Sequence, residues 1–223
     1  MRAVSLTIAI LTLCSCGGAA DDRPASVLEV IDGDTVAWHG RARDLAGIDA
    51  PELGQSCQAG KRAYPCGTDA AFALKKRVAL EPARCEAAGD DEIVCHVGGT
   101  SLADLQVSDG LAFSREDAGQ SLRLAEEQAR KAGLGVWRGE HVRPAAWRAG
   151  ERLASEAGSP AAPCPVIGVP GARGTAYVVP TDEAYRGLRD APDAPRACSD
   201  EEARERGWRH VGERVSDRIP LGL

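Results

Sequence analysis

A chain of 223 residues, 43% of them hydrophobic, can bury one real core with something small beside it, which excludes a disordered tail. Its formal charge is −6, about −7 by the same count once a leader carrying Arg2 is removed. Because a basic face supplies much of the affinity of nucleic-acid binders, this balance counts against tight non-specific DNA binding, while leaving a local basic groove open.

The first residues, "MRAVSLTIAILTLCSCGGAADD", carry one basic side chain, an apolar run from Ala3 to Leu13, then small residues and acids. The run is too short to span a bilayer as a helix and reads as an export signal over residues 1–20. Two processing readings compete: cleavage after Ala20, or a lipoprotein signal that makes Cys16 the lipidated residue and gives the chain a membrane tether. Export places the chain in the periplasm, at the cell envelope or outside the cell. Cys14 and Cys16 belong to the signal. The six cysteines that remain, Cys57, Cys66, Cys85, Cys95, Cys164 and Cys198, are an even number in an oxidising compartment and suggest disulfides between near neighbours: 57 with 66, 85 with 95, 164 with 198. No cysteine pair has the two-residue spacing of a zinc knuckle.

Residues 26 to 50 alternate as strands do, with a turn at Gly40 and a bend or bulge at Gly33. A helix fits Thr68 to Leu80, with Phe72, Leu74 and Val78 among its apolar positions. "RCEAAGDDEIVCHVGG" reads as a hairpin whose cysteines face each other. "SLADLQVSDG" is a helix capped by Ser101 and stopped by Gly110, and "GQSLRLAEEQARKAGLGVW" a third, with Leu122, Leu124, Ala125 and Ala129 near its apolar side and Gly133 beyond its last turn. Strands first and helices later make an α+β domain. Residues 149–163 shift to alanine, serine, glycine and proline and read as a linker. A cysteine-stapled segment, 164–211, follows with a strand "AYVVP" and an acidic helix capped by Ser199 or Asp200, and residues 212–223 form a tail.

Four carboxylates cluster in "IDGDTVAWHGRARDLAGIDAPE". Asp32 and Asp34 flank Gly33 at the end of one strand, and Asp49 and Glu52 close the next; strands paired around Gly40 would bring all four to one mouth. Converging aspartates and a backbone carbonyl suit a hard divalent cation, and Glu52, three residues past Asp49, is placed to take a proton from water. A lone "DGD" is otherwise ordinary turn chemistry.

"VIDGDTV" followed by "LAGIDAPE", with "EEQARKAGLGVW" later in the same order, resembles the staphylococcal-nuclease (thermonuclease) family over residues 26–148. The resemblance implies a five-stranded OB-fold barrel with three helices and Ca²⁺-dependent phosphodiester hydrolysis of single-stranded DNA or RNA. By position it implies Asp34 and Asp49 as Ca²⁺ ligands, Ala50 as a ligand through its carbonyl, Asp32 in the outer shell through water, and Glu52 as general base. The family's phosphate-binding arginine, five residues before the second metal aspartate, is here Asp44. Arg43 is adjacent, but strand neighbours point to opposite faces, so it substitutes only through a bulge. The family's second arginine falls in the acidic stretch Asp90, Asp91, Glu92. An arginine aimed at a phosphoryl transition state can be worth ~10³–10⁵ in rate, so the two departures bear directly on activity. Arg43, Arg84 and Arg115 are the basic residues at hand, and Phe113 is the one aromatic placed to stack a base. "CPVIGV", "AYVVP" and "CSDEEARERGWR" resemble the small sunset domain found after secreted nuclease-like domains.

Two readings follow: a monomeric exported nuclease with a rebuilt phosphate clamp, or a non-catalytic module of the cell envelope that binds a protein or glycan partner.

Overall fold

The computed structural model describes residues 28–156, 164–172 and 174–213. The export and lipidation readings of residues 1–20, with Cys14 and Cys16, lie outside the described residues, as do 157–163 of the linker and the tail beyond 213.

The chain is α+β. β1 (Glu29–Val30), β2 (Thr35–Trp38) and β3 (Arg41–Leu45) form an antiparallel meander. His39 and Gly40 both have positive φ, 51° and 74°, the pair of left-handed residues that a tight two-residue hairpin needs. β4 (Ile48–Asp49) follows after Gly47. β5 (Cys57–Ala59) and β6 (Arg62–Tyr64) make a small hairpin, which the Cys57–Cys66 disulfide fastens to α1 (Cys66–Leu80). α1 therefore starts two residues before Thr68, at the half-cystine itself.

β7 (Arg84–Ala87) and β8 (Glu92–Val97) pair with Cys85 directly opposite Cys95, and a disulfide joins them. After β9 (Thr100–Ser101), α2 (Leu102–Ser108) starts under the Ser101 hydroxyl, which accepts from the Asp104 N–H. β10 (Phe113–Ser114) pairs with β4. α3 (Gln120–Ala132) ends at Gly133, left-handed at φ 64°. A 3₁₀ turn (Gly135–Arg138) and the short α4 (Pro144–Arg148) complete this part.

Beyond residue 163 come β11 (Val166–Gly171), β12 (Gly174–Val178), α5 (Tyr185–Leu188), β13 (Arg196–Ala197), α6 (Asp200–Glu205) and β14 (Arg209–His210). They form a second sheet, ordered β13-β11-β12-β14 and held by the Cys164–Cys198 disulfide. The first sheet is ordered β1-β2-β3-β8-β7, with β9 on β8, and its β3–β8 pairing is parallel. Among the described residues its ladder does not close on itself.

One core gathers Val36, Leu45, Leu74, Ile93, Leu102 and Val107 between the first sheet and α1 and α2. A second joins Ile31, Leu53 and Ala71 of the first part to Val166, Tyr177 and Ala197 of the last. Each large aliphatic removed from water there contributes roughly 1.5–3 kcal/mol, so the two parts are packed together and not merely tethered. The buried stripe of α1 is Ala70, Ala71 and Leu74; Phe72, about 200° around the helix from Leu74, is 47% exposed. On α3 only Ala129 is buried, and Leu124 faces outward. No helix of the described residues is long and apolar enough to cross a membrane.

Candidate functional site

Local hydrogen bonding in the "DGD" bend aims its side chains. Asp32 Oδ1 accepts from the N–H groups of Asp34 and Thr35, at 3.0 and 2.7 Å, which fixes the bend. Gly33 is needed for a close approach: a Cβ there would lie 2.7 Å from Ala50 Cβ and 2.8 Å from Ala70 Cβ. That approach lets Asp34 reach the end of β4, where its Oδ2 accepts the Ala50 N–H at 2.6 Å. Two residues on, Glu52 is 5% exposed, and its backbone is held by Gln55 in both directions. On β3, Asp44 lines the same cavity as these acids and accepts from Thr35 Oγ1 at 3.1 Å.

These carboxylates line a cavity of about 660 Å³, whose wall also includes Ser114, Arg115, Glu116, Asp117, Arg143, Arg148, Glu201 and Arg204. Arg148, the last residue of α4, is its hub. Nη1 donates to Asp49 Oδ1 at 2.9 Å and to Glu52 Oε1 at 2.6 Å, while Nε lies 3.0 Å from Glu201 Oε2 on α6. Nη2 makes a longer contact of 3.5 Å to Asp49 Oδ2. A guanidinium has five N–H groups in a rigid fork, so at least one remains for a further acceptor in the cavity. Arg204, also on α6, pairs with Asp200 at 2.6 Å and stands 4.0 Å from Asp44.

Crowded negative charge in a buried setting shifts the acids upward. Burial, then repulsion from Asp32, pushes the Glu52 carboxyl up to about 8 against the opposing pull of Arg148. Asp34 is raised well above the usual carboxylate range by burial, then by Asp32, Asp49 and Asp44. Burial raises Asp44 too, with Arg204 opposing. The Arg148 guanidinium is driven above its already high value by hydrogen bonds to Asp49 and Glu52, which outweigh its burial.

Oxygen donors of this kind suit a hard cation such as Ca²⁺. The arrangement does not: among the described residues no three histidine, cysteine, aspartate or glutamate side chains are gathered around one point. Asp34 spends an oxygen on the Ala50 N–H, and Arg148 occupies Asp49.

No family model matches the chain. Succinoglycan biosynthesis protein ExoI of Rhizobium meliloti (strain 1021) is 33% identical over 158 residues, which cover 67% of this chain and 82% of that protein. The chain belongs to the ExoI family.

In this ExoI-family chain the structure brings Asp32, Asp34, Asp49 and Glu52 to one cavity, together with Asp44. Ala50 adjoins it and engages Asp34 through its N–H. Arg43 is not among the lining residues. Strand alternation turns it to the other face, where it pairs with Asp91 at 2.5 Å, and no bulge shifts the β2–β3 register. Arg115 does line the cavity but is tied to Glu92 and Asp117. Arg84 lies on β7, outside the lining. Phe113 is 1% exposed, edge-on to Trp137 and beside His141, so it is core and offers no face to a base. Sequence reasoning missed Arg148, Arg204 and Glu201, which carry no local motif and reach the site from about 100 residues or more away; the only signal was the density of charge on α6, and for Arg148, the one charged residue of α4, there was none.

Proposed function

We propose that the chain is an exported phosphodiesterase of the nuclease kind, acting on single-stranded DNA or RNA, with its phosphate-facing charge supplied by Arg148. In this reading Glu52 takes a proton from the attacking water. A carboxyl that titrates near 8 is a stronger base, when ionised, than one near its ordinary value, and it lies close to working pH. Arg148 neutralises the phosphate and orients it beside Glu52. The observation that carries the reading is the single guanidinium bridging Asp49 and Glu52 inside the cavity, since it puts positive charge where residues 44 and 90–92 have none to offer. We read the β1-β2-β3-β8-β7 path with α1 to α3 as an OB-type barrel, a reading the tight hairpin at Gly40 and the parallel β3–β8 pairing support. The three disulfides suit an exported location. No step is assigned to Ca²⁺, because the carboxylates as arranged hold an arginine.

A second reading, a non-catalytic envelope module that binds a glycan or protein, is favoured by the cavity's surplus of acid, eight carboxylates against four arginines. The relative named for succinoglycan biosynthesis is consistent with it. The deciding assay incubates the chain without its leader with single-stranded DNA and with RNA, in Ca²⁺ and in chelator, beside Glu52→Gln. Cleavage that disappears in the variant supports hydrolysis. Absence of cleavage in every condition leaves the binding module.

A further inference from the structure

We infer that Glu201, on the C-terminal segment, is a positioning residue that holds Arg148 in the carboxylate cavity, so that the last segment of the chain supplies a working part of the site. The inference rests on reading Arg148 and Glu52 as the working pair. α4 is five residues long and anchored by buried Pro144 and Trp147, which fix its backbone but not the long side chain of Arg148 at its end. A long guanidinium side chain left to itself keeps much of its rotamer freedom. What fixes its third side is Glu201, at 3.0 Å from Nε.

Glu201 is well placed to do so because α6 is anchored to the segment that carries Glu52. The Gly54 N–H, two residues past Glu52, donates to the Cys198 carbonyl at 2.8 Å. A Cβ on Gly54 would lie 2.8 Å from that same carbonyl, so only glycine permits the approach. Cys198 is in turn clamped by its disulfide to Cys164, and its N–H donates to Glu202 Oε2 at 2.7 Å. Ser199 Oγ caps α6 by accepting from the Glu202 N–H at 3.0 Å. Arg204, three residues after Glu201, lies on the same face of α6 and extends the network to Asp44. One helix thus touches both halves of the carboxylate cluster.

A half-exposed ion pair can also be a bystander, since most such pairs contribute little. The sign of one titration separates the two roles. The charged groups facing Glu52 are Asp32 from the bend after β1, Arg148 from α4 and Glu201 from α6, with Asp49 sharing Arg148. Asp32 and Glu201 raise the Glu52 carboxyl, Arg148 lowers it, and the effect of Arg148 exceeds that of Glu201.

The experiment is a carboxyl-carbon NMR titration of Glu52 in the full mature chain and in Glu201→Gln. If Glu201 seats Arg148, its loss releases the guanidinium and the Glu52 midpoint rises by about one pH unit. If Arg148 stays seated without it, only the repulsion from Glu201 is lost; a midpoint that falls or stands still overturns the inference. Arg148→Met should reproduce the rise, and adding Glu201→Gln to it should produce no further rise; a further rise also overturns it. The titration reads the geometry of the pair whether or not the chain turns over substrate, so failure of the hydrolysis assay and failure of this inference are separate results.

Discussion

Glu52 illustrates what a single residue can and cannot announce. Its candidacy was legible because Asp32, Asp34, Asp49 and Glu52 lie within 21 residues of sequence and a hairpin around Gly40 folds them together. Its environment was not, because the groups that tune it come from α4 and α6, and Arg148 is separated from it by 96 positions. The consequence is measurable as a pH dependence of stability. The folded carboxyl titrates near 8 and an unfolded one near its ordinary 4.5, so between those values the folded state holds a proton that the unfolded state has released. Stability contributed by Glu52 is therefore intact below about pH 4.5 and declines as pH rises toward 8. Glu52→Gln removes the titration. We expect the variant to gain on the order of 4 kcal/mol over the native chain at pH 8 and little at pH 4, checked by urea unfolding at both values. A native chain that loses no stability between those pH values relative to the variant would show that Glu52 is not held as the structure has it.

At the scale of elements, strand alternation placed Asp44 and Arg43 on opposite faces of β3, Asp44 at the carboxylate cavity and Arg43 away from it, and the cysteine spacing gave all three disulfides that the structure closes. What the pattern did not reveal is where helices approach other backbone. The first turn of α1 rests on the segment that carries Glu52: a Cβ on Gly67 would lie 1.7 Å from the Glu52 carbonyl oxygen and 2.8 Å from that of Pro51. Both clashes are with backbone, which cannot rotate away as a flexible side chain would. Gly67→Ala must therefore push α1 off the 51–52 segment, or that segment into the cavity. We expect a loss of about 3 kcal/mol in unfolding free energy and a shifted Glu52 resonance. An alanine accepted there without cost would mean that α1 sits further from Glu52 than the structure places it. Helix propensity alone predicts the opposite sign, since alanine is the better helix former by roughly 1 kcal/mol.

For the whole molecule, composition suggested two modules joined by residues 149–163, yet the packing crosses that division. Ile31, Ala37, Leu53 and Ala71 share a core with Val166, Tyr177, Val179, Ala197 and Ala203. The Thr181 hydroxyl donates to the Val30 carbonyl at 2.6 Å, and Lys75 donates to the Thr181 carbonyl. No periodicity in either half could have shown this, because an apolar residue facing its own core and one facing a neighbour look the same in sequence. A chain ending at residue 156 would expose that apolar face of the first part and remove Glu201 and Arg204 from the cavity. Exposing several aliphatic side chains at 1.5–3 kcal/mol each is a large fraction of the stability of a domain this size. We expect the shortened chain to melt about 10 °C lower than the full one, or to aggregate through the uncovered patch. If its melting temperature were unchanged, the first part would be complete by itself, and the carboxylate cavity would have to be explained without its C-terminal wall.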